Sequence, residues 1–369
     1  MLNRKALIKA SVALLSMVIS LAVAEALLRE MTPPWLFLDQ RTDSFWKVLK
    51  SQSILQTREE RDTVSDSELG WRMKPFFESV GVRHNSRGFR TKREYLSKPG
   101  TSRILAIGDS YTYGLGVADD STFSAYLEQI TGIEVVNAGV NGYGVDQALL
   151  MWEIEGQRLH PTHVILGYFV DDFFRNALSF RDASKPHFMF DPAMQQYRLK
   201  PIVDGYANLS EANGGAILER SLRVPQAIGL LVRWTKRKAG FIDEEWLART
   251  ARTSEHILQR LQSSVSRSAA RLLVVVIGDS SDRQPEYLWI EKSIIDACRS
   301  NGIECLNLAA ARREVDSALL YGQNRHFSEE GHRYAAQKIA AALGLERKDA
   351  KPKHNFAVRN VRRVTNVDW

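Results

Sequence analysis

Five short apolar runs, each followed by a stretch of helical period, narrow the folds open to this chain. The runs occupy 103–107, 133–137, 163–168, 272–277 and 303–307. Runs this short and apolar suit strands buried on both faces. Helical patterns fill 121–131, 145–158, 254–268, 285–300 and 328–343, with Ser121, Ser254 and Ser328 placed as N-caps for the free backbone N–H groups of a first turn. Strict alternation of strand and helix implies a parallel sheet covered by helices on both faces, an α/β fold. A chain of 369 residues has length for such a core and for appendages.

The appendages are legible too. Residues 6–28 are mostly apolar and follow Arg4 and Lys5, with Lys9 and Glu25 near the ends of the segment. As helix they span roughly 34 Å, enough for a bilayer. The positive start predicts a cytoplasmic N-terminus with the remainder outside. Ala22-Val23-Ala24 also fits a small-residue cleavage site, so a retained anchor and a cleaved signal peptide both stay open. The expected organisation is a membrane anchor or signal segment at 1–30, a lead-in at 31–100, the α/β body at 101–345 and a basic tail at 346–369. Between the third and fourth runs lie about 100 residues, more than a connection needs. Residues 175–250 therefore read as a helical and aromatic insertion, with His187-Phe188-Met189-Phe190 and Arg233-Trp234-Thr235-Lys236-Arg237 as its most aromatic and basic stretches.

The net charge of +7 raises the question of nucleic acid. Arg4, Lys5 and Lys9 supply three charges, and the tail carries seven Lys/Arg against three Asp/Glu. The body is thus balanced and its charge does not indicate a basic groove for phosphates, which argues against nucleic acid as a partner. Cys298 and Cys305, with six residues between them, read as buried thiols or, in an exported protein, a disulfide. They have no partners at metal-ligand spacing, and no metal or cofactor is expected.

Four blocks at strand ends carry residues suited to acyl chemistry. The first is Gly108-Asp109-Ser110, closing the first run. The second is Asn137-Ala138-Gly139-Val140-Asn141-Gly142-Tyr143-Gly144, whose glycines let a tight turn present backbone N–H groups. The third is Gly167-Tyr168-Phe169-Val170-Asp171-Asp172-Phe173, and the fourth Asn324-Arg325-His326-Phe327-Ser328, leading into the last helix. A serine needs a base and oxyanion donors before it is a useful nucleophile; a histidine and a glycine-rich turn supply both kinds of group. Gly278-Asp279-Ser280 repeats the first motif but lies after the third block, so it reads as an ordinary loop. His332, within the last helix, reads as structural.

In this order and spacing the blocks resemble the SGNH/GDSL hydrolase family of serine esterases and acyltransferases, over roughly residues 101–345. The lead-in, with Gly70-Trp71 and Asn85-Ser86-Arg87-Gly88-Phe89-Arg90, resembles a membrane-anchored branch. The resemblance implies a flavodoxin-like three-layer α/β/α sandwich. It also implies Ser110 as nucleophile, His326 as general base, and an oxyanion hole from the backbone N–H groups of Ser110 and Gly142 with the side chain at 171. Two positions depart from the pattern. Asp171 stands where the family has an asparagine amide, and Gln323 and Asn324 stand where it has the aspartate that orients the histidine. Asp171 and Asn324 are therefore candidates for the orienting role. Three arrangements follow: a triad rebuilt around Asp171, a Ser–His dyad, or a degenerate site that binds a glycan or partner without turnover. The leading expectation is an extracytoplasmic esterase or O-acyltransferase acting on acyl, chiefly acetyl, esters of an envelope or exported polysaccharide.

Overall fold

The computed structural model describes residues 4–31, 62–95, 102–202, 224, 227–228, 231, 244–278, 285–310, 317–322 and 325–346. They fall into two compact units, one of Met1–Thr57, Phe180–Asp182 and Asp204–Asp243, the other of Arg58–Ser179, Ala183–Val203 and Glu244–Trp369. In the first, α1 (Arg4–Met31) is 28 residues long. Its Ser11–Leu28 stretch is apolar enough to cross a bilayer, as a membrane anchor or a signal sequence would be. The Arg233–Arg237 stretch and the basic tail beyond Glu346 lie outside the described residues.

The second unit opens with β1 (Thr63–Asp66) paired antiparallel with β2 (Gly70–Met73), then a two-residue pair, β3 (Glu78–Ser79) and β4 (Val82–Arg83). The alternating region follows as β5 (Arg103–Gly108), α2 (Ser110–Tyr113), α3 (Phe123–Thr131), β6 (Glu134–Gly139), α4 (Val145–Ile154), β7 (His163–Phe169) and α5 (Asp172–Arg175). After a hairpin of β8 (His187–Asp191) and β9 (Gln196–Lys200) come α6 (Glu244–Arg267), β10 (Arg271–Ile277), α7 (Pro285–Ser300), β11 (Glu304–Asn307), α8 (Ser317–Leu320) and α9 (Glu329–Leu343).

All five apolar runs become strands of one parallel sheet, ordered β11-β10-β7-β5-β6. Helices α3 and α9 pack together, and α6 packs on α4 and α7, so the sheet is the middle of three layers. From β5 the chain steps to β6 at one edge, then crosses back to β7 and continues to β10 and β11. That reversal makes the crevice between the C-terminal ends of β5 and β7 the switch point, where open α/β sheets hold ligands.

Register aligns Gly108 with Gly139 on one side and Gly167 on the other. Gly108 has φ 147°, and a Cβ there would lie 2.4 Å from Thr112 Oγ1; one on Gly139 would lie 2.3 Å from the backbone nitrogen of Tyr113. Only glycine lets α2 sit this low on the strand ends.

The helix starts are partly as expected. Ser328 caps α9, accepting from the Gly331 N–H at 3.0 Å. Ser121 does not cap α3: it ends a 3-10 turn, and Thr122 caps, accepting from Ala125 N–H. Ser254 is buried inside α6, which begins ten residues earlier with Glu244 and Glu245 in its first turn. The part of the insertion around His187–Phe190 is a β-hairpin, not helix. Cys298 on α7 and Cys305 on β11 are both free thiols.

The lead-in residues 62–95 are built into this unit. Trp71 is buried and its indole N–H donates to the Asn141 carbonyl at 2.9 Å, while the Tyr143 hydroxyl donates to the Trp71 carbonyl at 2.5 Å. The Gln147 amide donates to Leu69 O at 2.7 Å. Arg90 is buried against the other end of the site, donating to Tyr113 O at 2.9 Å and pairing with Asp119 at 3.1 Å.

Candidate active site

Where β5 stops, Asp109 takes an extended conformation and caps α2, its Oδ1 accepting from the Tyr111 N–H at 2.9 Å. Ser110 thus begins a helix directly after a buried strand and is only 6% exposed. Its Oγ lies 2.8 Å from His326 Nε2, the separation a general base needs. The two residues are 216 positions apart in sequence.

A tight turn delivers the histidine. Arg325 adopts the left-handed conformation (φ 66°), its N–H donates to Gly322 O, and the Gly322 N–H donates to His326 O. Tyr321 and Phe327 bridge across the base of the turn. The Tyr111 ring packs on His326 with centroids 4.9 Å apart, and its hydroxyl donates to Arg325 O at 2.7 Å. The residue after the nucleophile therefore fixes the base. The Tyr321 hydroxyl reaches Gly278 O at 2.9 Å, so the first residue of the second Gly-Asp-Ser motif anchors this turn; Asp279 and Ser280 lie outside the described residues.

The glycine-rich block follows β6. Val140 N–H donates to Gly108 O at 3.0 Å, stitching it to the nucleophile strand, and Gly142 turns with φ 83°. In the third block, Val170 N–H donates to Ile277 O, so β7 leans toward β10 as it ends. The two adjacent acids then part. Asp171 Oδ1 accepts from the Tyr287 hydroxyl at 2.8 Å, on the β10 side. Asp172 is buried and points toward β5, where its Oδ1 accepts from Arg175 Nη1 at 2.6 Å and its Oδ2 from the Phe169 N–H. Burial pushes the Asp172 carboxyl well above the usual carboxylate range, and the charge of Asp109 pushes the same way against the pull of Arg175. Asn324 and Gln323 lie outside the described residues.

The sequence reading named Ser110, Gly142, Asp171 and His326 but not Tyr111, Arg175 or Tyr287. An arginine inside the apolar run Phe173-Phe174-Arg175, three residues after an acid, was the available signal for a buried ion pair.

His332 is buried in α9, and its Nδ1 accepts from the Phe123 N–H at 3.1 Å, a structural role. Burial, aided by the positive charge of Arg90 and by His326, lowers its pKa to about 3. The unfolded chain binds this proton below about pH 6.5 and the folded protein does not, so stability falls as pH drops from there toward 3. Replacing His332 by glutamine should remove that slope. Urea denaturation at pH 7 and pH 5 should show the wild type losing about 2 kcal/mol more than the variant.

The family described as GDSL-like lipase/acylhydrolase matches residues 106–334. Among curated proteins, none matches the chain. Similar solved structures include the psychrotrophic esterase EstA from Pseudoalteromonas sp., 11% identical, covering 66% of this chain and 97% of that one with a TM-score of 0.40. They also include Axe2, an acetylxylan esterase from Geobacillus stearothermophilus, 15% identical, covering 67% and 97% with a TM-score of 0.40.

Proposed function

Because the chain belongs to the GDSL-like lipase/acylhydrolase family, we propose that it is a serine esterase or O-acyltransferase working through Ser110 and His326. The contact of 2.8 Å between Ser110 Oγ and His326 Nε2 carries the reading. His326 takes the Ser110 proton as Oγ attacks an ester carbonyl. The backbone N–H groups of Ser110 and Gly142 receive the charge that develops on the carbonyl oxygen. Collapse breaks the ester C–O bond, and the leaving alcohol takes the proton from His326. The acyl group on Ser110 then passes to a second hydroxyl that His326 deprotonates, and Ser110 is regenerated. Water as that acceptor makes an esterase; a sugar hydroxyl makes a transferase.

The basic residues Arg4, Lys5 and Lys9 in the first turns of α1 support an extracytoplasmic body, whether α1 is retained or cleaved. An acetylated envelope or exported polysaccharide is the substrate class proposed for that side. The test is covalent: the full chain in detergent micelles is treated with a 4-nitrophenyl phosphonate ester and digested for peptide mass spectrometry. One phosphonyl group per chain on Ser110 is expected. An unlabelled chain, or label on another residue, defeats the assignment.

A further inference from the structure

Arg175 lies behind the nucleophile with its side chain 9% exposed, and one of its nitrogens holds three parts of the site. Nη1 is 3.0 Å from Asp109 Oδ2, 2.9 Å from Tyr143 O and 2.6 Å from Asp172 Oδ1. Asp109 immediately precedes Ser110 and caps its helix. Tyr143 immediately follows Gly142. The two backbone donors of the proposed oxyanion hole therefore sit on the two loops that this guanidinium ties together.

Charge makes the position more than a tie. The Ser110 hydroxyl lies 3.4 Å from Asp109 Oδ2, so a carboxylate borders the nucleophile itself. The family's amide at 171 is a second carboxylate here, and Asp172 is a third acid in the same few residues. Arg175 is the cation bonded to two of them. Its guanidinium also packs over the Phe169 ring at 5.7 Å, and Phe169 packs on Tyr111, which packs on His326. Resting on the esterase reading, we infer that Arg175 is a positioning residue that sets the spacing of the Ser110 and Gly142 donors and offsets the acidic surroundings, in place of the missing amide at 171.

A purely structural ion pair is the competing account, and the fold allows the two to be separated. The backbone at 175 has its own anchor: Lys185 Nζ donates to the carbonyls of Arg175 and Leu178 at 3.3 and 3.2 Å. The next residue, Asn176, accepts from the Val145 N–H at 2.9 Å. Removing the Arg175 side chain thus leaves the end of α5 fastened at residues 175, 176 and 178.

The experiment measures 4-nitrophenyl acetate hydrolysis and phosphonylation of Ser110 in full-length protein in micelles, with thermal melting followed by circular dichroism. For folded Arg175→Met, kcat and the phosphonylation rate should fall about a hundredfold, the scale of losing one oxyanion donor, with KM within about threefold. Arg175→Lys, which restores the charge without the fork, should recover part of kcat. Should Arg175→Met fail to fold, the Arg175→Met/Asp172→Asn double variant also removes the buried acid bonded to the guanidinium, and it carries the same expectation. A folded variant with kcat within about threefold of the wild type, or a loss confined to KM, overturns the inference. A wild type that neither hydrolyses ester nor takes phosphonate defeats the esterase reading itself, a different result from an active wild type beside an equally active variant.

Discussion

Replacing Ser110 by alanine should lower ester hydrolysis on the order of 10⁴-fold or more while leaving the protein folded. The asymmetry follows from what the hydroxyl touches. Its partners are His326 at 2.8 Å and, weakly, Asp109 at 3.4 Å, so removing it leaves His326 short of one partner in a partly solvated cleft and opens little volume. Melting should shift by no more than about 1 kcal/mol of stability. His326→Ala should give a loss of similar size, and combining the two should add little, because base and nucleophile act as one unit. Initial rates on 4-nitrophenyl acetate, beside a circular-dichroism melt of the same preparations, decide it. Activity that survives in Ser110→Ala would move the chemistry to another residue.

Replacing Lys185 by methionine should act the other way round, on the fold before the chemistry. Lys185 and Asp146 form an ion pair with both side chains fully buried. Burial raises the Asp146 carboxyl, and Lys185 pulls it back down. Without the ammonium, a carboxylate stays in the interior with the Gln147 N–H at 2.8 Å as its remaining partner. Breaking one side of such a pair costs about 3–5 kcal/mol, a large share of the roughly 5–15 kcal/mol that holds a protein together. The pH dependence has a definite sign. With its folded pKa raised further above the unfolded value, Asp146 in the variant is tolerated when protonated and penalised when ionised, so the deficit is greatest at neutral pH and shrinks toward pH 4. Denaturant titrations of wild type and variant at pH 7 and pH 4 measure it. Adding Asp146→Asn to the variant should restore part of the loss, and equal stability of all three proteins would show that the pair contributes nothing.

The layered fold was legible because its signal is local and repeated: five apolar runs, five parallel strands. The pairing of Ser110 with His326 was legible for a related reason, since a parallel sheet brings strand ends to one edge whatever their separation in sequence. What the sequence could not convey was direction. Asp171 and Asp172 look like strand neighbours on opposite faces, yet the chain turns helical after Val170, and the two acids diverge toward Tyr287 and Arg175 by helical rotation. Ser254 looked like a cap because serine is a poor interior helix residue. Its hydroxyl instead accepts from the Asn176 amide at 3.0 Å, a tertiary bond that outweighs local propensity. Phe188 and Phe190, with Tyr197 and Leu199, carried a two-residue period that the aromatic composition of the region obscured. Lys185 and Asp146 gave no warning, because a charged residue reads as surface until its partner is known.

The exchange between Trp71 and Tyr143, indole to one loop and phenol back to the other, has a consequence for portability. A fragment cut at the start of β5 would carry the serine, the histidine and the whole parallel sheet, and by motif it would look complete. It would lack the hairpin that grips the peptide on either side of Gly142. What such a transplant leaves behind is the brace of the glycine-rich turn, contributed by residues upstream of every catalytic motif.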